Sequence, residues 1–296
     1  MQELTINRIK EKTTQGWING FIGVLLFSGT LPATRVAVLE FDPVLVTAAR
    51  ASIAGFLAVF ALLFFKQRRP DKNQIIPLTI VALGGVVGFP LLSSLALQHV
   101  TSAHSIVFVG ILPVATAIFA IFRGGERPRP IFWLFSTLGS LLVVGYAVAQ
   151  GITASPLSDI LMFAAVIVCG LSYAEGAKLT KVLGGWQVIS WALALSLPVM
   201  LPLCFIYEPS SIENISTEAW IGLGYVSLFS MFIAFIFWYN GLAQGGTASV
   251  GQIQLLQPFF GLALASWLLH EKVSIGMIVV TVGVILCVFG TKKFAK

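Results

Sequence analysis

Long apolar runs, separated by short polar segments, account for most of this chain. Each run is about 20 residues long, which is the length that an α-helix needs to cross the hydrocarbon core of a bilayer. The first run, Trp17 to Leu39, is too long for the core of a signal peptide and therefore predicts an uncleaved span. The whole pattern predicts ten membrane-spanning helices, near residues 17–37, 43–65, 75–97, 102–122, 130–149, 159–178, 186–206, 218–241, 247–269 and 274–291.

One pattern occurs twice, at an offset of 145 residues. The segments Val107 to Glu126 and Gln252 to Glu271 each have a proline near the middle and end in a glutamate, and the offset places Pro113 on Pro258 without a gap. We interpret the chain as two repeats of five spans. Because five is odd, the repeats must have opposite orientations in the membrane, as in many secondary transporters. The predicted units are a cytoplasmic N-terminal segment at 1–16, a first repeat at 17–149 and a second repeat at 159–291.

The composition does not fit a soluble protein. Hydrophobic residues make up 57% of the chain and charged residues 10%, whereas a soluble domain carries about 25% charged residues. We therefore predict an all-α integral membrane protein, with ten transmembrane helices arranged as two inverted five-helix repeats. The three cysteines lie inside apolar runs, at spacings that support neither a zinc site nor a disulfide framework. We expect no cofactor and no metal.

The basic residues predict the orientation in the membrane. Of the 18 Lys and Arg, all but Arg35, Arg50 and Lys272 fall in segments on the same side as the N-terminus. Cytoplasmic loops carry an excess of Lys and Arg, so both termini are expected in the cytoplasm, with the chain in the inner membrane of a bacterial cell. The net charge of +6 follows from this loop bias and does not indicate nucleic-acid binding.

Several motifs are similar to those of a known family. They are Phe27 to Arg35, Asp42-Pro43, Arg50, Gly170 to Lys178, and the proline–glutamate pairs of both repeats. In these features the chain resembles the drug/metabolite transporter superfamily, specifically its ten-span group with two EamA domains, over about Gly16 to Gly290. Departures at Phe27, Pro32 and Gly170 leave the straightness of the first span open. The resemblance implies a secondary carrier, often an exporter of amino acids or other small metabolites, and names no substrate.

Three ionisable side chains in the predicted spans are candidates for function, because a charge at membrane depth is costly and usually faces protein or water. Arg50 could hold a substrate carboxylate, or it could be an architectural arginine that binds carbonyls or Asp42. Glu175 either pairs with Lys178, one turn later, or carries a coupling proton. His104, at the start of the fourth span, is either a hydrogen-bonded packing residue or a titrating functional group.

A second group of candidates is polar or aromatic. Gln254 and Gln257 share a face of the ninth span with Pro258, which cannot donate a backbone hydrogen bond. Buried amides need partners, so these glutamines either join helices or form the polar wall of a central cavity. Further candidates for the wall, with a membrane-interface belt as the alternative for the aromatic ones, are Trp238, Tyr239, Asn240 and Tyr173. The first repeat has Val109 and Leu112 in the matching places, so we expect a wall that is polar mainly on the second-repeat side.

These features favour a secondary transporter that exports a small amphipathic metabolite, such as an amino acid, by alternating access, with proton coupling left open. Its expected partners are a small-molecule substrate and the lipid bilayer, and one copy suffices because both repeats lie in one chain. The alternative is a multi-span membrane enzyme acting on a lipid-linked substrate. That enzyme would need clustered acids or a nucleophile with its base, and the histidines and acids here are scattered.

Overall fold

Helices make up the structure. The computed structural model describes residues 2–149, 155–209, 215–261 and 275–295, and no β-strand occurs within these ranges. The α-helices are α1 (Gln2–Ser28), α2 (Thr30–Val38), α3 (Pro43–Phe64), α4 (Lys72–Val81), α5 (Phe89–Leu97), α6 (Ser102–Val109), α7 (Leu112–Gly124), α8 (Pro130–Ala149), α9 (Pro156–Leu183), α10 (Gly185–Ile206), α11 (Thr217–Tyr225), α12 (Ala234–Gly245), α13 (Thr247–Gly251) and α14 (Ile275–Phe294). Two π-helices, at Ala82–Gly88 and Val226–Ile233, and a 3-10 helix at Gln252–Leu256 join some of them.

Six helical stretches are long and apolar enough to cross a membrane. They agree with the predicted first, second, third, sixth, seventh and eighth spans and cover Glu11–Val38, Pro43–Phe64, Lys72–Leu97, Pro156–Leu183, Gly185–Ile206 and Thr217–Gly245. Large apolar side chains such as Phe60, Leu63 and Phe122, which are 68%, 73% and 77% exposed, form a surface suited to lipid. The chain is therefore a multi-pass membrane protein. The full count of ten spans stays a prediction, since the ninth extends beyond the described residues.

Capping residues and glycines determine where several helices begin and end. Asp42 caps α3 by accepting the N–H of Val44 (2.7 Å), and Pro43 occupies the first helical position, where a backbone donor is not needed. Gly125 and Gly184 follow α7 and α9 with φ of 67° and 96°, a backbone region that favours glycine. The chain therefore reverses direction within a few residues at these points.

The first span is interrupted between α1 and α2, at Gly29. Pro32 cannot donate a hydrogen bond to the carbonyl of Ser28, and its ring crowds that carbonyl. A Cβ atom at Gly29 would lie 2.7 Å from the hydroxyl oxygen of Tyr225, so the packing here requires glycine. The interruption covers one residue within the helical stretch Glu11–Val38.

Two further spans are interrupted near a proline. We call α6 with α7 the first broken span (102–124), and α13 with the 3-10 helix and the helical residues after it the second broken span (247–261). α-Helical geometry resumes at Leu112 in the former and at Gln257 in the latter, in each case directly before a proline. These positions are 145 residues apart, and so are the last residues of the two π-helices. These irregularities thus follow the offset of the sequence repeat, whereas the interruption at Gly29 does not, since Ala174 lies inside the continuous helix α9.

The two halves of the chain are interleaved. The closest packing pairs α1 with α12, α3 with α10, α5 and α7 with α9, and α8 with α14, and each pair joins one half to the other. Glycines allow the backbones of α1 and α12 to touch: a Cβ on Gly16 would lie 2.4 Å from the nitrogen of Gly245, and one on Gly241 would lie 2.6 Å from that of Gly20.

A surface link also joins the halves, outside the apolar segments. Ser216, the N-cap of α11, donates from its hydroxyl (2.5 Å) and its backbone N–H (2.6 Å) to the carboxylate of Glu40. These two hydrogen bonds lower the pKa of Glu40 because they stabilise the charged form. The ionised carboxylate thereby holds the turn between α2 and α3 against the start of α11.

Candidate functional site

The interrupted segments meet around a narrow, buried cavity, which we call the central cavity. Its walls come from the break in the first span, both π-helices, α3, α9 and both broken spans. Its volume is only about 20 Å³. A solute the size of an amino acid would therefore require the walls to separate. The polar side chains that line the cavity are those of Thr30, Arg50, Tyr173, Ser230, Gln254 and Gln257.

Both predicted glutamines of the second broken span line the central cavity. Gln254 is 1% exposed and donates from Nε2 to the hydroxyl of Tyr173 (3.4 Å), while its Oε1 is buried without a hydrogen-bond partner. Gln257 donates to the carbonyl of Phe27 (3.1 Å), close to the break in the first span. Pro258 accounts for the local backbone: it has no N–H to continue the α-helix, and the residues before it form a 3-10 turn. These glutamines therefore join helices and also present polar atoms to the cavity.

Arg50 of α3 is 2% exposed and lines the same cavity. Its Nη2 donates to the hydroxyl of Ser230 (3.1 Å), and that hydroxyl lies 2.9 Å from the hydroxyl of Thr30. Its Nε and Nη1 are buried and have no hydrogen-bond partner within the part of the chain that the structure describes. Asp42, which was one of the partners considered, caps the start of α3 instead. One hydroxyl therefore holds the guanidinium, and its other nitrogens are unpaired.

Of the aromatic candidates, Tyr173 lines the cavity, whereas Trp238 and Tyr239 do not. Trp238 is fully buried against Tyr173, with ring centroids 5.4 Å apart in a T-shaped contact. The hydroxyl of Tyr239 lies 3.3 Å from that of a serine in α9. Asn240 accepts the backbone N–H of Gly185 (3.2 Å) and so joins α12 to α10. In this structure these three residues support the wall, and their direct contact with a solute stays a prediction.

Glu175 lies in an ion pair between the two halves of the chain. It is 1% exposed, and its Oε2 accepts a hydrogen bond from Nε of Arg123 (2.6 Å), at the end of α7. The helical pair with Lys178 is not formed, because Lys178 is exposed and the carboxylate faces α7. Glu175 does not line the central cavity. Its role in proton coupling stays a prediction.

His104 forms a second ion pair between the same two spans. Its Nε2 lies 2.6 Å from Oδ1 of Asp159 at the start of α9, and the histidine side chain is 4% exposed. This pair holds the beginning of the first broken span against α9, whereas Arg123 and Glu175 hold its end. His104 does not line the central cavity, and a functional role for it stays a prediction.

Glu126, noticed in the sequence only as part of the repeat, caps the second broken span. Its carboxylate accepts the backbone N–H groups of Thr247 (2.7 Å) and Ala248 (2.9 Å), the first residues of α13. A helix N-terminus has unpaired N–H groups and a partial positive charge, so a carboxylate is well suited to it. The corresponding Glu271 lies outside the described residues.

The distribution of polar groups differs in part from the sequence expectation. Val109 and Leu112 do line the cavity at the positions that correspond to the two glutamines. The first half of the chain, however, contributes Thr30 and Arg50 to the polar wall. Sequence reasoning missed Thr30 and Ser230 because hydroxyls in apolar helices commonly bond to carbonyls of their own helix. Among the described residues, no group of three His, Cys, Asp or Glu side chains could hold a metal ion.

An all-helical, multi-pass membrane protein whose interrupted spans surround a polar cavity has the architecture of a membrane transporter. Comparison with known families agrees with this class. The EamA-like transporter family matches residues 14–147 and 156–291, and the chain belongs to that family. Membership makes it a transporter and not an enzyme, so the membrane-enzyme alternative is set aside.

The relatives cover nearly the whole chain. The uncharacterized transporter YdeK of Bacillus subtilis (strain 168) is 63% identical over 285 residues, which is 96% of this chain and 99% of that protein. The aromatic amino acid exporter YddG of Escherichia coli (strain K12) is 24% identical, over 93% of this chain and 97% of that protein. A crystal structure with 19% sequence identity matches with a TM-score of 0.75, over 94% of this chain and 96% of its own, and shows the fold alone.

Proposed function

We propose that this chain is a secondary transporter that exports a small amphipathic metabolite, such as an amino acid, by alternating access. The central cavity carries the proposal: segments from both halves enclose it, and apolar, amide and guanidinium groups line it together. Interrupted helices expose polar groups to a solute at membrane depth without exposing them to lipid. Two relatives named as aromatic amino acid exporters support an amino acid as the substrate class.

We propose further that the chain consists of two inverted repeats of five spans, at 17–149 and 159–291. The common offset of the interruptions and the interleaved packing support this arrangement. Movement of one repeat against the other would open the central cavity to each side of the membrane in turn. Because the volume now available to a solute is small, such a movement must also widen the cavity before a solute can enter.

The orientation follows from the distribution of Lys and Arg, which places both termini in the cytoplasm. Reporter fusions test it directly. Those at Gln74, Gly125 and the C-terminus should read cytoplasmic, and those at Asp42, Thr153 and Ser211 external. An external signal from the C-terminal fusion would contradict both the orientation and the count of ten spans.

Transport of radiolabelled L-phenylalanine into proteoliposomes tests the substrate class. Gln254→Leu and Gln257→Leu should each weaken the apparent affinity by roughly 10-fold, because each removes an amide of the cavity wall. Gln187→Leu is the matched control, since this partly buried amide of α10 does not line the cavity. Unchanged affinity in both cavity variants would place the site elsewhere. No movement of phenylalanine or of other amino acids by the wild-type protein would refute the substrate class.

A further inference from the structure

The guanidinium of Arg50 has hydrogen-bond donors that the protein does not use. Arginine has five N–H donors, and in this buried side chain a single hydroxyl, that of Ser230, accepts from them. Arg50 lines the central cavity, and its Nε and Nη1 are buried without a hydrogen-bond partner among the described residues. A guanidinium needed only for architecture would be expected to bind several carbonyls, as buried charges usually do. The spare donors are therefore left for a ligand that enters the cavity.

The described residues also provide no negative charge for Arg50. The carboxylates on neighbouring helices are engaged elsewhere: Asp42 caps α3, Glu175 pairs with Arg123, and Asp159 pairs with His104. A charge at membrane depth is strongly unfavourable when it has neither water nor a counter-charge. A ligand with an anionic group would supply what is missing, and a planar carboxylate can accept two N–H groups of one guanidinium.

The second broken span provides the complementary group. Oε1 of Gln254 is a buried acceptor without a partner, and the Nε2 of the same amide is already engaged by Tyr173. The amide orientation thus leaves an acceptor free, which suits the N–H groups of a protonated amine. Aromatic and aliphatic side chains complete the walls, among them Phe27, Leu112 and Phe235.

We propose that Arg50 binds the carboxylate of the transported solute and that Gln254 Oε1 accepts a hydrogen bond from its amino group, so that the substrate is a zwitterionic amino acid. This inference rests on the proposed transport function and names the groups of the substrate that are recognised. It also gives each half of the chain one pole of the substrate, since α3 and the second broken span lie in different halves. Binding of the solute would then connect the two halves across the cavity.

Equilibrium binding to purified protein tests the inference with three ligands of similar size. L-Phenylalanine has both poles, L-phenylalaninamide lacks the carboxylate, and 3-phenylpropionate lacks the amino group. The wild-type protein should bind phenylalanine roughly 10- to 100-fold more tightly than phenylalaninamide, as expected when a hydrogen-bonded charge is lost. Arg50→Gln should abolish that preference and leave the affinity for phenylalaninamide within roughly threefold. Gln254→Leu should instead reduce the preference for phenylalanine over 3-phenylpropionate.

Arg35→Gln is the matched control, because this arginine of α2 donates to the carbonyl of Leu97 and does not line the cavity. It should leave all three ligand ratios unchanged. If Arg50→Gln does not fold, Arg50→Lys replaces it. Lysine keeps the charge but cannot donate in a planar pair, so it should weaken phenylalanine binding and spare phenylalaninamide.

Three outcomes would overturn the inference. The first is an Arg50 variant that weakens phenylalanine and phenylalaninamide by the same factor, which is the signature of a structural arginine. The second is competition: chloride or phosphate alone displaces phenylalanine from the wild-type protein as effectively as unlabelled phenylalanine does. The third is equal transport of phenylalanine and phenylalaninamide, which would leave the transport function intact. Failure of the wild type to bind or move any amino acid would refute the proposed function as well.

Discussion

The two broken spans are interrupted at corresponding positions and are held in place in different ways. Ion pairs to α9 hold the first one at both ends, through His104 with Asp159 and Arg123 with Glu175. The carboxylate of Glu126 caps the start of the second broken span. Side-chain amides join its middle to neighbouring helices. Similar backbones thus have charged anchors in one case and mainly neutral anchors in the other.

The positions of the charges explain this difference. In each ion pair one partner is buried and the other is partly exposed: Asp159 is 37% and Arg123 is 39% exposed. A pair at a span end keeps part of its hydration, which lowers the cost of burying the other partner. Amides in the middle of a span carry no net charge and can exchange one hydrogen bond for another. We therefore expect the first broken span to behave as a clamped element and the second to contribute the groups that meet the solute.

The largest loss of stability should follow from replacing Arg123, the partly exposed partner of Glu175. Arg123→Gln leaves the carboxylate of Glu175 buried without its counter-charge, so we expect a loss of stability of about 2–3 kcal/mol. Glu175→Gln should cost less, about 1 kcal/mol, because the partly exposed guanidinium can turn to water. Thermal unfolding of the purified variants in one detergent measures both, with Lys178→Gln as an exposed control on α9. Equal losses of stability in Arg123→Gln and Glu175→Gln would contradict the expectation that the unpaired carboxylate costs more than the unpaired guanidinium.

The same Glu175 variant decides the question of proton coupling. If Glu175 carries the coupling proton, Glu175→Gln should bind substrate with wild-type affinity and lose transport driven by a pH gradient. Transport in proteoliposomes, with and without a gradient, separates this result from a change in stability. Full gradient dependence in the variant would restrict Glu175 to its structural pair with Arg123.

A smaller effect is expected at the cap of the second broken span. Glu126→Ala removes the acceptor of two backbone N–H groups at the start of α13 and should cost about 1–2 kcal/mol. Glu126→Gln keeps an acceptor but loses the charge at the helix N-terminus, so its loss should be about half as large. Arg127→Ala, next in the chain and exposed, is the control. The same unfolding measurement applies, and a neutral Glu126→Ala would show that water replaces the cap.

The smallest effect should come from the pair at the other end of the first broken span. Asp159→Asn keeps a hydrogen-bond partner for His104, and Asp159 is itself partly exposed, so we expect a loss of about 1 kcal/mol or less. Thermal unfolding of Asp159→Asn and Arg123→Gln at neutral pH compares the losses of stability at the two ends of the first broken span. A larger loss from Asp159→Asn than from Arg123→Gln would reverse the proposed ranking of the two ends.

The sequence by itself determined where most of the apolar helices lie, but it did not predict the two π-helices. The length of an apolar run and the caps at its ends are local properties, so α3 and α10 agree closely with the predicted spans. Proline disturbs the carbonyl four residues before it, which fits the interruptions at Gly29 and before Pro258. Proline alone does not decide, however, since α10 continues through Pro198 and Pro202. The same local logic marked Gln254 and Gln257 as polar groups at mid-span.

Only the tertiary structure decided which side chains meet. The partner of Glu175 is Arg123, which is 52 positions away, and not its helical neighbour Lys178. Likewise Arg50 meets Ser230 at a separation of 180 positions, while Trp238 packs into the wall. All of these spans are apolar on most faces, so hydrophobic periodicity does not specify which face of a helix contacts which neighbour. Close packing between glycine-rich helix surfaces makes that choice, because it fixes which few polar atoms are close enough to pair.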